Sequence, residues 1–349
     1  CPCRPAGPTP GRRQAIRFSA TARARVGWDD LVQGRIEVAA DEIDDFIILR
    51  SDDRETPVYN FAAVVDDALM GITHVVRGAD HIPNTPKQIL LYEALGYPVP
   101  AFAHIPLVLG PDREKLSKRH GDVALQAYRD QGYLPEAMVN YLVRLGWAHG
   151  DQEVFTREEL IKAFQLERVG ASPGIFDRAK LDWLNALHIR QTPLDVLADL
   201  LAPFWRAAGV DPRTVEARSR TWLVQAVALF VERSKTLLEM ARSMAFLFAP
   251  PAARDPKAEA KLLTPDHLAL LAETRQALAQ APDFSAEALE ALVRRLAEAR
   301  GRKLVDYAQP IRVALTGTTV SPPLFPILAL LGRETVLNRL ARVPESQSN

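Results

Sequence analysis

The chain has 349 residues, 48% of them hydrophobic and 25% charged, which allows two or three ordinary globular domains and excludes a disordered or fibrous protein. Its 43 basic and 43 acidic side chains cancel, so no global basic field attracts nucleic acid and any RNA contact must come from local asymmetry. No apolar run reaches the roughly 18 residues of a membrane span, and no signal peptide is apparent.

Residues 1–13 are rich in Pro, Gly and Arg, and position 1 is Cys rather than Met, so the chain reads as the remainder of a longer protein. Cys1 and Cys3 are the only cysteines and the first histidine is His74; neither a disulfide framework nor a zinc site is expected, which fits a reducing cytoplasm. Residues 15–56 read as strands and turns: Ala15 to Phe18, a turn at Gly34, then Phe46 to Leu49. Val58 to Val65 predicts a strand, Asp66 to Met70 a short helical turn, and Thr73 to Val76 a buried strand. A helix follows, with Thr85 as its cap, Pro86 in its first turn and Gly96 at its end. Phe102 to Leu109 predicts another strand, so strand, helix and strand form a right-handed βαβ unit of a parallel sheet. Ligands of such sheets bind beyond the carboxyl ends of the strands, where Arg77 and a loop beginning at Lys115 both fall.

From about residue 122 the pattern is helical. Pro135 opens a helix reaching about Leu145, and Thr156 to Glu159 is a capping box. Ser172-Pro173 and Thr192-Pro193 open others. Residues 195–249 are amphipathic helices, 250–263 a linker, and 264–343 a second helical unit opened by Thr264-Pro265. Between Arg294 and Arg312 six basic residues face two acidic ones, a local basic stretch.

Two segments suggest chemistry. Pro111 to Gly121 gathers Lys115, Lys118 and Arg119 around Ser117 on a loop ended by glycine. ATP-dependent activation of a carboxylic acid puts negative charge on the phosphorus and on departing pyrophosphate, and two lysines three apart can meet it. Lys118 would be the main phosphate contact, assisted by Lys115 and Arg119, and loop mobility would release pyrophosphate. Arg77 is the candidate for an anionic substrate, because guanidinium pairs bidentately with carboxylate and lysine does not. His104, by residue type, reads as a packed histidine; His120 touches phosphate or is simply solvated.

Together Val75 to Pro86 and Lys115 to Arg119 resemble the second half of the catalytic domain of class I aminoacyl-tRNA synthetases, and among these the bacterial glutamyl-tRNA synthetases. The pentamer Lys-Leu-Ser-Lys-Arg is similar to that family's KMSKS-type signature. Residues 57–86, 115–147 and 301–340 carry the resemblance in order, and it extends from about residue 15 to about residue 343. It implies an α/β plus all-α fold: residues 1–57 as a remnant of the inserted acceptor-binding domain, 58–121 as the second half of the Rossmann-type catalytic domain, 122–194 as a helical stem-contact domain, and 195–349 as an α-helical anticodon-binding domain with parts at about 195–250 and 264–343. By the same resemblance Lys115 and Lys118 are catalytic, and Lys115, Leu116, Ser117, Lys118 and Arg119 hold ATP. Tyr59, Arg77 and Asp80 hold glutamate, with His81 nearby, while Ala79, which replaces an acidic residue of the family, gets no role. Gln309 to Gly317 and Ser321 to Phe325 are similar to the family's anticodon-binding cage, which points to Arg312, Ser321, Pro322, Leu324 and Phe325, and more weakly to Arg233.

The implied reaction is ATP-dependent attachment of L-glutamate to tRNA(Glu) through glutamyl-adenylate, with Mg2+ accompanying ATP, in a cytoplasmic monomer with no membrane partner. The family's His-Ile-Gly-His motif is not in the chain, nor are the arginine and serine of its first strand; the chain is therefore expected to be N-terminally truncated and a poor catalyst alone. The alternative is a non-catalytic tRNA-binding fragment, or a non-discriminating synthetase that also charges tRNA(Gln). The helices after residue 122 argue against the β-barrels of glutaminyl-tRNA synthetase, and residues 195–343 argue against the glutamyl-queuosine enzyme, which has no anticodon domain.

Overall fold

The computed structural model describes residues 13–20, 25–117, 119, 121 and 124–343, with the main chain alone at Ala40. The two cysteines lie outside them, as do Lys118 and His120. The chain forms two compact units, one from Cys1–Val123 and Val139–Asp177, the other from Ala124–Met138 and Arg178–Asn349.

The first unit begins with four short strands, β1 (Ile16–Phe18), β2 (Arg25–Asp30), β3 (Gly34–Ala39) and β4 (Phe46–Leu49). β2 and β3 form a hairpin in which Asp30 lies opposite Gly34, whose φ of +77° makes the tight return. β2 alternates strictly, with Val26, Trp28 and Asp30 facing inward. A carboxylate thus sits on the buried face of a strand, in line with a valine and a tryptophan. β1 pairs antiparallel with β4.

Helix α1 (Tyr59–Leu69) follows, where a strand from Val58 to Val65 was expected. The Val64-Val65 pair suggests extended chain, but Phe61, Val64 and Ala68 recur at helical spacing and all three pack into the same core. Packing of one helical face outweighs the weak local preference of β-branched residues. β5 (His74–Gly78), α2 (Thr85–Leu95) and β6 (Ala101–Ile105) then make the expected parallel βαβ unit. Gly96 ends α2 in the left-handed conformation. The cap is Asn84 rather than Thr85, and Thr85 is the first helical residue. β5 is not fully buried: Val76 is 52% exposed. Pro106 lies between β6 and β7 (Val108–Leu109), dividing the expected single strand.

One core joins Val26, Trp28 and Ile43 of the first segment to Val64, Ile89, Leu91 and Phe102 of the second. In the later part of this unit the capping box at Thr156 and Glu159 is formed on both sides. Fully buried Asn140 accepts from the Phe155 N–H at 2.9 Å and donates to the Glu153 carbonyl at 2.9 Å. Ser172-Pro173 does not open a helix; it precedes the short strand Gly174–Ile175, which pairs with β7.

The second unit is helical. One hydrophobic core, from Leu134 to Val343, includes Leu197, Phe230, Met240, Leu247, Tyr307 and Leu328. The expected linker at 250–263 contains a helix, Pro256–Leu262, whose Asp255 accepts from the Lys257 and Ala258 N–H groups. Arg339, 6% exposed, donates to the carbonyls of Phe246 and Leu247 at the end of helix Leu237–Phe248. Burial pushes its guanidinium down to about 10. No described helix is long and apolar enough to cross a membrane.

Candidate active site

The end of β5 carries the site. Arg77 and His104 are register partners across the parallel β5–β6 pair. The Arg77 Nε–H donates to His104 Nε2 at 3.1 Å and Nη2 donates to Thr85 Oγ1 at 2.8 Å. The guanidinium also lies 5.5 Å from the Phe102 ring centroid. Burial lowers its pKa, partly opposed by Tyr59 and Asp67, yet an arginine stays charged. The side-chain partners of this half-buried cation, His104, Thr85 and Tyr59, are all neutral.

Behind Arg77 stands a chain of buried polar groups. His104 is 0% and Asp30 5% exposed. His104 Nδ1 lies 2.5 Å from Asp30 Oδ2. Asp30 Oδ1 accepts from the backbone N–H groups of His104, Val32 and Gln33 at 3.0, 3.1 and 3.0 Å. Burial works against the Asp30 carboxylate, but the bonds from His104, Gln33 and Val32 hold its pKa below the ordinary value.

In front, Tyr59 is 50% exposed and its hydroxyl lies 3.3 Å from His81 Nδ1. Asp80 accepts from Lys115 Nζ at 2.8 Å, which lowers the Asp80 pKa. The bond ties the start of the lysine loop to the end of β5. The loop is shaped by a turn after β7: Gly110 and Glu114 are bonded at 2.8 Å, and the Leu116 N–H donates to the Val108 carbonyl at 3.0 Å. Leu116 and Ser117 are half-buried. Arg119 is exposed and bonded to Asp112 at 3.3 Å. Lys118 lies outside the described residues.

Tyr59, Arg77, Asp80 and Lys115, expected from the sequence, thus stand around one strand end. Asp30, His104 and Thr85 were not expected there. Thr85 reads as a helix cap and His104 as packing; the one available sign was an aspartate on the inward register of β2.

In the second unit a cavity of about 870 Å³ is lined by Arg233, Arg242, Ser234, Thr318, Ser321 and Pro322. Arg312 donates to the Ser321 hydroxyl, and to the Pro322 carbonyl at 2.9 Å. Burial, then Arg233, lowers the Arg312 pKa. Leu324 and Phe325, expected to contact RNA, are 3% and 8% exposed and belong to the core, where they have little surface to offer a base.

A parallel βαβ unit with a lysine loop at its carboxyl end, followed by a helical domain with a basic cavity, has the build of a class I aminoacyl-tRNA synthetase. The family described as tRNA synthetases class I (E and Q), catalytic domain, matches residues 6–183, and the one described as anticodon binding domain matches residues 196–344. The glutamate–tRNA ligase of Geotalea uraniireducens is 49% identical over 97% of this chain and 71% of its own length. That of Geobacter sulfurreducens is 49% identical over 94% of this chain and 69% of its own. The solved glutamate tRNA ligase from Elizabethkingia meningosepticum, in complex with its amino acid, superposes with a TM-score of 0.80 at 28% identity, over 95% of this chain and 68% of that one. The chain belongs to the glutamate–tRNA ligases, class I enzymes that use ATP to join glutamate to tRNA.

Proposed function

We propose that Arg77 reads the side-chain carboxylate of glutamate in this ligation, with Tyr59 lining the same pocket. The supporting observation is a half-buried guanidinium at a strand end whose bonded partners, His104, Thr85 and Tyr59, are all neutral. A desolvated cation without an ion-pair partner gains most from an incoming anion. Asp80, joined to Lys115, sets where the lysine loop starts.

Lys115 and Lys118, with Leu116, Ser117 and Arg119, hold the triphosphate of ATP and oppose the charge that grows as pyrophosphate leaves. Magnesium would accompany ATP and offset part of the phosphate charge, leaving the rest to Lys115, Lys118 and Arg119. Arg312, Ser321 and Pro322, beside Arg233, form the surface that reads the anticodon of tRNA(Glu); Leu324 and Phe325 support it from the core. Residues 58–121 act as the catalytic half-domain, 122–194 as the stem-contact region and 195–349 as the anticodon domain. The change of family match between residues 183 and 196 supports that last division. The compartment is the cytoplasm, where charged tRNA is consumed.

The test is glutamate-dependent ATP–pyrophosphate exchange by the full-length protein, with tRNA present. Arg77→Lys keeps the charge but loses the planar fork, so the glutamate KM should rise by about tenfold or more with the ATP KM unchanged. An unaltered glutamate KM would remove Arg77 from the pocket. Lys118→Ala should depress exchange severely at saturating glutamate.

A further inference from the structure

The contacts of Arg77 fix the protonation of the residue behind it. A guanidinium only donates hydrogen bonds. His104 Nε2, 3.1 Å from the Arg77 Nε–H, must therefore present its lone pair. The ring proton is then on Nδ1 and is donated to Asp30 Oδ2, 2.5 Å away. Thr85 Oγ1, which accepts from Arg77 Nη2, also lies 3.1 Å from His104 Nε2. The imidazole stacks on Phe102 at an interplanar angle of 11° and is wholly buried. Asp30 in turn is pinned by three backbone N–H groups and by the Trp28 indole at 3.3 Å.

This arrangement takes up the side edge of the guanidinium, formed by Nε and one N–H of Nη2. The end edge, formed by Nη1 and the other N–H of Nη2, has the two parallel donors that a carboxylate accepts bidentately, and Tyr59, which also hydrogen-bonds the guanidinium, is the group an incoming carboxylate would share it with. We propose that Asp30 and His104 are positioning residues, a buried relay that holds the Arg77 plane so that its end edge faces the amino-acid substrate. The proposal rests on the reading of Arg77 as the residue that binds the glutamate carboxylate. The relay sets substrate orientation and touches neither glutamate nor ATP. The β2–β3 hairpin supplies Asp30, so it contributes to amino-acid recognition.

The test uses steady-state aminoacylation by the full-length protein carrying Asp30→Asn, His104→Gln, His104→Leu or Arg77→Lys. In Asp30→Asn the amide oxygen keeps the three backbone bonds, while the amide nitrogen replaces Oδ2 and donates to His104 Nδ1. The ring proton is forced to Nε2, where it opposes the Arg77 Nε–H. The expected result is a glutamate KM raised by about tenfold or more, with KM for ATP and tRNA within about twofold and only a modest fall in melting temperature from the donors left facing one another. His104→Gln, whose side-chain oxygen can stand where Nε2 was, should retain more glutamate affinity than His104→Leu. Long-range 1H–15N spectra of the imidazole should show the Nδ1–H tautomer in the wild type and Nε2–H in Asp30→Asn.

An unchanged glutamate KM in Asp30→Asn overturns the relay, as does an Nε2–H tautomer in the wild type. So does an equal loss in all three KM values with a lowered melting temperature, which is what a purely structural role would give. If Arg77→Lys raises the glutamate KM and Asp30→Asn does not, the relay alone fails. If Arg77→Lys also leaves it unchanged, the reading of Arg77 itself fails.

Discussion

Lys115 Nζ donates to Asp80 Oδ2 at 2.8 Å, and this bond links the first lysine of the loop to a residue three places beyond Arg77. Both side chains are well exposed, 62% and 39%, so the pair adds little to stability. Its effect is on placement. With Asp80→Asn the melting temperature should stay unchanged, while ATP–pyrophosphate exchange falls because Lys115 no longer starts from a fixed point. Lys115→Ala, which also removes a phosphate contact, should lose more, and the double variant should lose less than the product of the two single losses, since both single changes remove the contact between the two side chains. Full multiplicativity in exchange assays would show that the two residues act separately.

Asn185 makes the sharpest stability prediction. It is 0% exposed; its Oδ1 accepts from the Leu134 N–H at 2.8 Å and its Nδ2 donates to the Lys235 carbonyl at 2.6 Å. Asn185→Leu conserves approximate volume but leaves the buried Leu134 N–H unpaired and removes the donor to the Lys235 carbonyl. A buried orphaned group costs about 1–3 kcal/mol, so urea denaturation should show a loss of about that size. The readout is the midpoint followed by tryptophan fluorescence, against an exposed control such as Glu287→Gln.

What the sequence revealed was mostly local. The capping box at Thr156 and Glu159, the helix from Pro135 and the glycine stop at Gly96 depend on residues within four positions of one another, so the pattern carries them. The parallel strands at 74–78 and 101–105 were legible from strand, helix and strand at short spacing. α1 was misread because two adjacent valines weigh more in a local pattern than Phe61, Val64 and Ala68, whose shared face matters only once a core exists. The relay behind Arg77 was hidden for the same reason. Asp30 and His104 are 74 positions apart, and nothing in either neighbourhood announces the other. Thr85 next to Pro86 has every mark of a cap, yet its hydroxyl serves Arg77. Leu324 and Phe325 follow a motif of RNA contacts, but their burial is decided by the helices around them.

The basic cavity of the helical unit yields a prediction about tRNA alone. Arg312 is partly buried, and its bonds to Ser321 and Pro322 fix the turn that borders the cavity. Arg312→Gln should raise the tRNA KM by about tenfold and leave the glutamate KM within about twofold, because the pocket around Arg77 is untouched. Arg233→Gln should weaken tRNA binding and, if the lost contact is to phosphate, flatten the dependence of affinity on salt by about one counterion. Filter binding at two or more salt concentrations separates a phosphate contact from a base contact: loss of a base contact leaves the slope intact and changes the preference among anticodon sequences. Ser321→Ala, which removes one acceptor of Arg312 but no charge, should fall between wild type and Arg312→Gln.

Acidity should act on the first unit through His104. Burial lowers its pKa, opposed by Asp30 and assisted by the positive fields of Arg77 and His81. A histidine held neutral in the fold binds its proton more readily when unfolded, so the unfolded state takes up protons first as pH falls. The stability that neutral His104 provides is therefore complete above the unfolded value of about 6.5 and is lost progressively as pH drops below it. The folded protein itself takes up the proton only at its lower pKa, where Nε2 becomes a donor aimed at the Arg77 Nε–H, so the glutamate KM should rise at lower pH than the onset of the stability loss. In the wild type, thermal melts from pH 8 to pH 5 should fall first, with the rise in glutamate KM trailing at the acid end. In His104→Gln both curves should be flatter across that interval, because the group that titrates there is gone; Asp30, whose pKa lies below the ordinary carboxylate value, stays charged throughout. Equal pH slopes in the variant and the wild type would assign the acid sensitivity to other groups and leave His104 a packing residue.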